Sequence, residues 1–437
     1  MPDLSENETI DHLAERHPAR VAPQRSVAIV AWQALPAVFP NLGRGIGGME
    51  TAAWTFAKGL TGIGQWSAAI IVRADVKLPA DTVDGVRLHA SVERWESVRR
   101  DVAQCIDLHP FRWKRFRPSL LWKLPALLLT RPFRSRDPEL MRPDPRLTSF
   151  STDVWVAMGV GKESAGVIAT AHSQNRPCVL MIRCGADLDE RYIADEISFS
   201  DYGERSDVCR FAIEQADVIV CQSNIQVEKL KRVFGRDGHL IRNPIDLNVW
   251  QRPANDRLRR GVIWVGRYDD FHKRIPLAIE IARRCPEIPF TFIANRGDAD
   301  IESSTRAACP PNVTLIDYVR ANEMHQRFAS ALAFLSTSDH RVEGFPNVLL
   351  QAAASGTPIV SLNDFDGFLE ASAAGFPCES SLEHATQTLA DVVAGKLTID
   401  HEAVDAYLQT YHSTPAVITK LSGLLSTLLA ARVTNGS

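Results

Sequence analysis

No run of apolar residues in this chain approaches the ~20 that a helix needs to cross a bilayer. The eight cysteines contain no C-x-x-C pair and none sits near histidine at zinc spacing, which argues against a structural zinc site or a dithiol redox centre. They read instead as isolated, reduced and mostly buried thiols, and the expected setting is cytoplasmic. Positive charge is not in excess either. A net charge of −3 argues against a general affinity for nucleic acid. Residues 1–26 carry Asp3, Glu6, Glu8, Asp11 and Glu15 but no apolar stretch, so no secretory signal is expected and 1–25 read as a polar tail.

What is present is an ordinary globular composition, 45% apolar and 23% charged over 437 residues, a length that exceeds one core and calls for two domains. β-Branched apolar runs alternate with helical patterns, the signature of parallel sheets with crossover helices. Strands are expected at 27–32, 68–73, 86–90, 153–158, 178–183 and 218–221. A second series follows at 261–267, 290–294, 313–316, 332–335 and 359–362. Helices are expected near 51–60, 165–173 and 204–215, and Ile275, Ala278, Ile279, Ala282 and Cys285 mark one more by their three-to-four spacing. Two Rossmann-like domains follow, 26–243 and 244–410, with a helical segment at 411–437. The break falls at Asn243-Pro244-Ile245-Asp246, where a turn dipeptide precedes the polar stretch 251–260.

The stretch from His340 to Ala353 combines an acid, a turn and a helix start. Gly344 opens the turn, Pro346 fits the first helical position, and Glu343 stands just ahead of it. Exposed N–H groups and the positive end of the dipole suit that place to an anion such as a diphosphate. Gln351 follows roughly 7–8 Å along the helix axis, within reach of a ribose. An ordinary strand-turn-helix accounts for the packing of Val348, Leu349, Ala352 and Ala353, but it requires neither Glu343 nor the Pro-Asn start. The segment resembles the Glu-x7-Glu element of retaining glycosyltransferase family 4, with Gln351 in place of the second acid.

A second element, Val265 to Arg274, ends a strand at Arg267 and sets Lys273 near the next helix. Both cations are thereby placed at the carboxyl edge of the second sheet, where open α/β folds bind ligands. Family 4 enzymes carry a similar Gly-Arg with Lys six residues later, and the resemblance implies that the pair holds the nucleotide diphosphate. Asn243-Pro244-Ile245-Asp246 is also similar to their interdomain hinge. In the first domain, Gly43, Gly45 and Gly48 formally satisfy G-x-G-x-x-G with Asp75 as the ribose acid, which keeps a dinucleotide reading open. About ten residues separate the strand from these glycines, too many for the tight turn of that fingerprint. Gly47-Gly48-Met49-Glu50 instead resembles the glycine loop that family 4 brings over the donor. A glycine loop without a ligand is the remaining alternative.

Many family members place a histidine after a first-domain strand, close to the donor sugar; here the comparable segment reads Arg183-Cys184-Gly185. Arg183 is read either as a ligand for an acceptor anion or as a salt-bridge partner of Asp187 or Asp189. Asp187-Leu188-Asp189 spells Asp-x-Asp, yet with Arg267 and Lys273 available for the diphosphate these acids read as loop residues. His172 and His340 lack partners at metal spacing. Residues 111–136 hold eight Lys or Arg, five aromatics and no acid, which suits an anionic membrane surface, or else a solvated insertion that packs its leucines inward.

The resemblance therefore implies a GT-B fold, two Rossmann-like domains facing a central cleft. It implies transfer from a UDP- or GDP-sugar to a glycan or lipid-linked acceptor hydroxyl, in cell-surface glycan or glycolipid synthesis, without metal or redox cofactor. Arg267 and Lys273 would hold the diphosphate, and Glu343 with Gly344, Phe345, Pro346 and Asn347 would position the sugar. Gln351 would take the ribose, Tyr318 and Val319 would border the base, and Gly47 and Gly48 would close over the donor. Arg44 and Arg183 are the acceptor-side candidates. The rival readings are an NAD-dependent oxidoreductase built on 43–48 and Asp75, and a catalytically silent nucleotide-sugar-binding relative, suggested by Gln351 and the missing histidine.

Overall fold

The computed structural model describes residues 24–42, 47–74, 77–92, 95–103, 105–108, 111–113, 116–131, 139–253 and 259–435. The polar tail, Arg44 and Asp75 lie outside the described residues.

The first sheet contains β1 (Arg25–Val30), β2 (Trp66–Ala74), β3 (Thr82–Val83), β4 (Val86–Val92), β5 (Val154–Met158), β6 (Cys178–Met181), β7 (Val218–Cys221) and β8 (His239–Leu240). Their spatial order is β8-β7-β6-β5-β1-β2-β4-β3, parallel throughout except for the β3–β4 hairpin. Runs such as Val-Trp-Val-Ala-Met in β5 are apolar at every position because both faces of the sheet are covered. Val27, Ile29, Val154 and Val156 pack toward helix Gly48–Gly62, while Ala28, Val30, Trp155 and Ala157 pack toward helices Lys162–Ser173 and Ser206–Gln215.

The second sheet contains β9 (Val262–Arg267), β10 (Phe290–Asn295), β11 (Val313–Ile316), β12 (Ala333–Ser336), β13 (Ile359–Ser361) and β14 (Gly375–Pro377), in the all-parallel order β11-β10-β9-β12-β13-β14. Helices Ile275–Arg284 and Leu382–Val393 cover one face, and Asn347–Ala354 and His401–Tyr411 the other. Each domain is thus doubly wound. The strand order reverses between β1 and β5 in the first and between β9 and β12 in the second, the places where such sheets leave a crevice for a ligand.

The chain crosses between domains twice, and the crossings are tied together. The Ile245 N–H donates to the His412 carbonyl at 2.8 Å and the Thr414 N–H to the Ile245 carbonyl at 3.1 Å. Beyond the second crossing, helix Thr414–Asn435 returns to the first domain. Its Val417, Ile418, Leu421 and Leu425 are buried there. A Cβ on Gly59 would come within 2.3 Å of Ile418 Cγ1, so glycine sets how closely the two helices approach. This helix corrects one expectation, because its 19 residues from Thr414 to Arg432, at mean hydropathy 1.3, are long and apolar enough to cross a membrane. Interspersed Thr, Ser and Gly hide the run from a reading that looks for unbroken apolar sequence.

Within 111–136, strand Phe111–Trp113 pairs antiparallel with Ile106–Leu108, and Leu120–Leu129 is helical. Leu120, with Leu124 and Leu127, packs on Val102, Cys105 and Ile106, whereas Leu121, Trp122, Leu128 and Leu129 are exposed.

Candidate functional site

Asp269 organises the loop after β9. Its carboxylate is nearly fully buried, and Oδ1 accepts the backbone N–H groups of His272 at 3.0 Å, Lys273, and Arg274 at 3.2 Å, while Oδ2 takes Arg267 Nε at 2.7 Å. One acid therefore both folds the loop and aims Arg267. The Trp264 indole donates to Thr337 Oγ1 at 2.9 Å, and Thr337 in turn donates to the Lys273 carbonyl at 2.6 Å, which fixes the loop against the end of β12.

From this platform Lys273 Nζ reaches both oxygens of Glu343, at 2.5 and 2.6 Å, and Ser338 Oγ at 3.3 Å. The two side chains are only 15% and 13% exposed. Burial pushes the Glu343 carboxyl up, but the charge of Lys273 outweighs it and holds the group below its ordinary value. His272 stands between the pairs, with Nδ1 3.1 Å from Arg267 Nη2 and Nε2 3.5 Å from Glu343 Oε2. A guanidinium can only donate, so Nδ1 accepts and the proton of the neutral ring sits on Nε2, facing Glu343. Burial lowers the His272 pKa, against the pull of Glu343, and keeps the ring neutral. Across the cleft Tyr202 lies beside Phe271 and Arg267; burial raises its phenol pKa to about 12.

The Glu343 turn is built around a second acid. Asp339 accepts from the Arg341 backbone N–H at 2.9 Å and from its guanidinium at 3.0 and 2.7 Å. Arg274, in a left-handed conformation at φ 52°, ties its guanidinium to the Thr337 and Ser338 carbonyls at 2.6 and 3.0 Å. Pro346 is the residue before the first turn of helix Asn347–Ala354 and not its first helical position, a shift of one residue from the expectation. A Cβ on Gly344 would fall 2.0 Å from Gln222 Nε2, which explains glycine at this point of domain contact.

Both domains meet at this turn. Gly185 N–H donates to the Val342 carbonyl at 2.8 Å, and Cys184 and Glu343 form an isolated antiparallel bridge. Asn347 Nδ2 donates to the Gly48 carbonyl at 3.1 Å, and Asn243 at the hinge donates to Asn347 Oδ1 at 2.7 Å. Gly47 and Gly48, at the start of helix Gly48–Gly62, are thus brought against the Glu343–Asn347 turn. Gln351 is half-buried on the same helix as Asn347, and Tyr318 and Val319 follow β11, two strands from β9.

Arg183 makes no ion pair with Asp187 or Asp189. Asp187 accepts the backbone N–H groups of Arg183 at 2.5 Å, Cys184 at 3.0 Å and Val160 at 3.3 Å, and Asp189 pairs with Arg191. Asp187 is buried in a short 3-10 turn, Gly185–Leu188, and Asp189 follows it, so the first of the two acids is not the loop residue expected; among the described residues no group of three or more His, Cys, Asp or Glu is placed to hold a metal ion. His172 faces Asp217 and His340 faces Asn363. Asp269, His272, Gln222 and Asn243 were not singled out as site residues from sequence. Asp269 and His272 lie inside the quoted motif, but their contacts are tertiary and carry no spacing signal.

Residues 259–394 match the family described as Glycosyl transferases group 1. No curated protein matches the chain. The structure is similar to sucrose-phosphate synthase from Thermosynechococcus elongatus, at 14% identity and TM-score 0.64 over 93% of this chain and 100% of that one. It is also similar to a TarM variant from S. aureus solved with Fondaparinux, alpha-GlcNAc-glycerol and UDP, at 13% identity and TM-score 0.62 over 92% and 100%. HepE from Anabaena, in complex with UDP and glucose, aligns at 13% identity and TM-score 0.59 over 92% and 99%. At such identities the likeness shows the fold, which is GT-B. The second domain's match adds support for a glycosyltransferase.

Proposed function

We propose that this protein is a retaining glycosyltransferase that moves a hexosyl group from a UDP- or GDP-sugar to an acceptor hydroxyl. The observation that carries the reading is the convergence of Arg267, Lys273 and Glu343 at the switch point of the second sheet, beside the start of helix Asn347–Ala354. Breaking the glycosyl bond leaves negative charge on the departing diphosphate, and cations already in place stabilise that charge as it develops. In the free protein Lys273 is held by Glu343 and Arg267 by Asp269, so both cations are oriented before the donor arrives. The three N–H groups of Lys273 are shared between Glu343 and Ser338, and the long Ser338 contact is the one the diphosphate would displace, while Arg267 retains part of its fork. Glu343 and the backbone of 344–347 position the sugar, Gln351 takes the ribose, and Tyr318 and Val319 border the base. The acceptor hydroxyl gives its proton to the leaving phosphate oxygen on the same face, which requires no separate protein base.

The solved relatives that hold UDP support a uridine donor. Against the dinucleotide reading stands the contact of Gly48, whose carbonyl accepts from Asn347 of the other domain. A screen of UDP-, GDP- and ADP-sugars by thermal stabilisation tests the proposal, because a ligand at 100 times its dissociation constant adds about 2.7 kcal/mol. Stabilisation by NAD and by no nucleotide-sugar would contradict it. Stabilisation without nucleoside diphosphate release would mark the silent relative.

The acceptor is read as a glycan or lipid-linked molecule presented at the cytoplasmic face of a membrane. Exposed Trp113, Phe116, Leu121, Trp122, Leu128 and Leu129, on a segment with eight basic residues, support a peripheral contact with anionic lipid.

A further inference from the structure

Arg183 follows β6 at the carboxyl edge of the first sheet. Val179 and Met181 face the core shared with helix Gly48–Gly62, and Cys178, Leu180 and Ile182 face the opposite one. Alternation therefore directs Arg183 toward the Gly47–Glu50 end of that helix, whose Gly48 touches Asn347. The next residue, Cys184, bridges to Glu343. The main chain of Arg183 is fully committed, its N–H to Asp187 at 2.5 Å and its carbonyl to Gln222 Nε2 at 2.7 Å.

The side chain is not. Arg183 Nε is buried without an acceptor, and both carboxylates in the adjoining loop are spent on other donors, Asp187 on backbone N–H groups and Asp189 on Arg191. Burial lowers the guanidinium pKa to about 10, with Asp187 and Glu50 offsetting part of that fall from a distance. A buried donor without a partner costs about 1–3 kcal/mol, more for a charged group, and such a group persists where a ligand completes it.

From this geometry, and resting on the donor reading above, we infer that Arg183 is a specificity residue that binds an oxyanion, a carboxylate or a phosphate, carried by one of the two sugars that meet in the cleft. The guanidinium fork suits two parallel N–H···O bonds to such a group. It belongs to the first domain, whereas Arg267 and Lys273 belong to the second and are assigned to the diphosphate, so the charge it reads is a separate one.

The test compares wild type with Arg183→Met and Arg183→Lys in paired titrations. Glucose 6-phosphate against glucose reports an anion on the acceptor, and UDP-glucuronic acid against UDP-glucose reports one on the donor. In wild type the anionic member of one pair binds at least tenfold tighter, and the pair that shows it identifies the source. In Arg183→Met the ratio falls below about twofold, and Arg183→Lys keeps part of it. The melting temperature of Arg183→Met stays level or rises, because a buried donor without an acceptor has been removed. Ratios near one in wild type, or ratios that survive Arg183→Met, overturn the inference. So does a fall of several degrees in melting temperature with the ratios unchanged, the mark of a structural arginine. Binding of UDP and GDP alone is measured alongside. If neither binds wild type the donor reading fails, and the ratio for glucose 6-phosphate against glucose still decides the role of Arg183.

Discussion

Replacing Lys273 by Met strands the Glu343 carboxylate. That group is 13% exposed and takes its two shortest contacts from Lys273; among the described residues the next basic group is a neutral imidazole 3.5 Å away. Removing one member of a buried ion pair destabilises by about 3–5 kcal/mol, since the remaining charge is left without compensation. For a domain of this size that lowers the transition of the second domain by roughly 6–20 °C. Adding Glu343→Gln removes the orphaned charge, so the double variant should recover about half of the loss or more, although it deletes two polar contacts instead of one. Protonation should act in the same direction. Without Lys273, burial holds the Glu343 carboxyl above its unfolded value, and the deficit of the single variant, present at neutral pH, narrows as pH falls through that raised value. Differential scanning calorimetry of the four proteins of the cycle, at pH 7.5 and at pH 5, measures all of this. Additive losses in the cycle, or a deficit independent of pH, would refute the claim that these two charges are buried against each other.

Gln351→Ala should weaken donor binding by about 1–1.5 kcal/mol, a neutral hydrogen-bonding contribution, and leave turnover of bound donor nearly unchanged; calorimetric titration with equal affinities would place the ribose elsewhere. His412 packs beside Phe345, Phe368 and Tyr407 at the hinge and donates through Nδ1 to the Asn243 carbonyl at 2.9 Å, and burial lowers its pKa to about 4. The unfolded chain, titrating near 6.5, then binds a proton that the native state refuses, so stability falls as pH drops from 6.5 to 4, by up to about 3 kcal/mol. Urea unfolding of His412→Phe across that range should show a correspondingly shallower acid limb. Wild type should sediment with anionic vesicles at low salt and much less at high salt, and a variant with Arg112, Lys114, Arg115 and Arg117 changed to Gln should lose most of this; equal partitioning would leave 111–136 as a soluble insertion.

The strands at 218–221 and 313–316 were legible to the residue, because β-branched runs bounded by helical patterns have few other solutions. Thr82–Val83, His239–Leu240 and Gly375–Pro377 were not. They are short edge strands held by ladder hydrogen bonds and carry no apolar signature of their own. Periodicity marks 411–437 as helical, but nothing in its pattern says that Val417 and Leu421 belong to the core of the first domain, more than three hundred residues earlier. The site divides in the same way. Arg267, Lys273 and Glu343 stood out because their two segments resemble glycosyltransferase family 4 elements, and a strand end and a helix start place them at a sheet edge. Their pairing across 70 residues, the wedge of His272 and the orphaned Arg183 arise only when the two sheet edges and the two domains close on one another.

The central claim is that Arg267 and Lys273 stabilise the departing nucleoside diphosphate. It is tested most directly by measuring nucleoside diphosphate release from the stabilising nucleotide-sugar by wild type and Arg267→Ala. Losing one such contact should remove about 2–4 kcal/mol of transition-state stabilisation, a drop of roughly 30- to 1000-fold in kcat/KM, with the fold of the variant intact. Equal rates for the two proteins, or no release by wild type from any nucleotide-sugar, would contradict it.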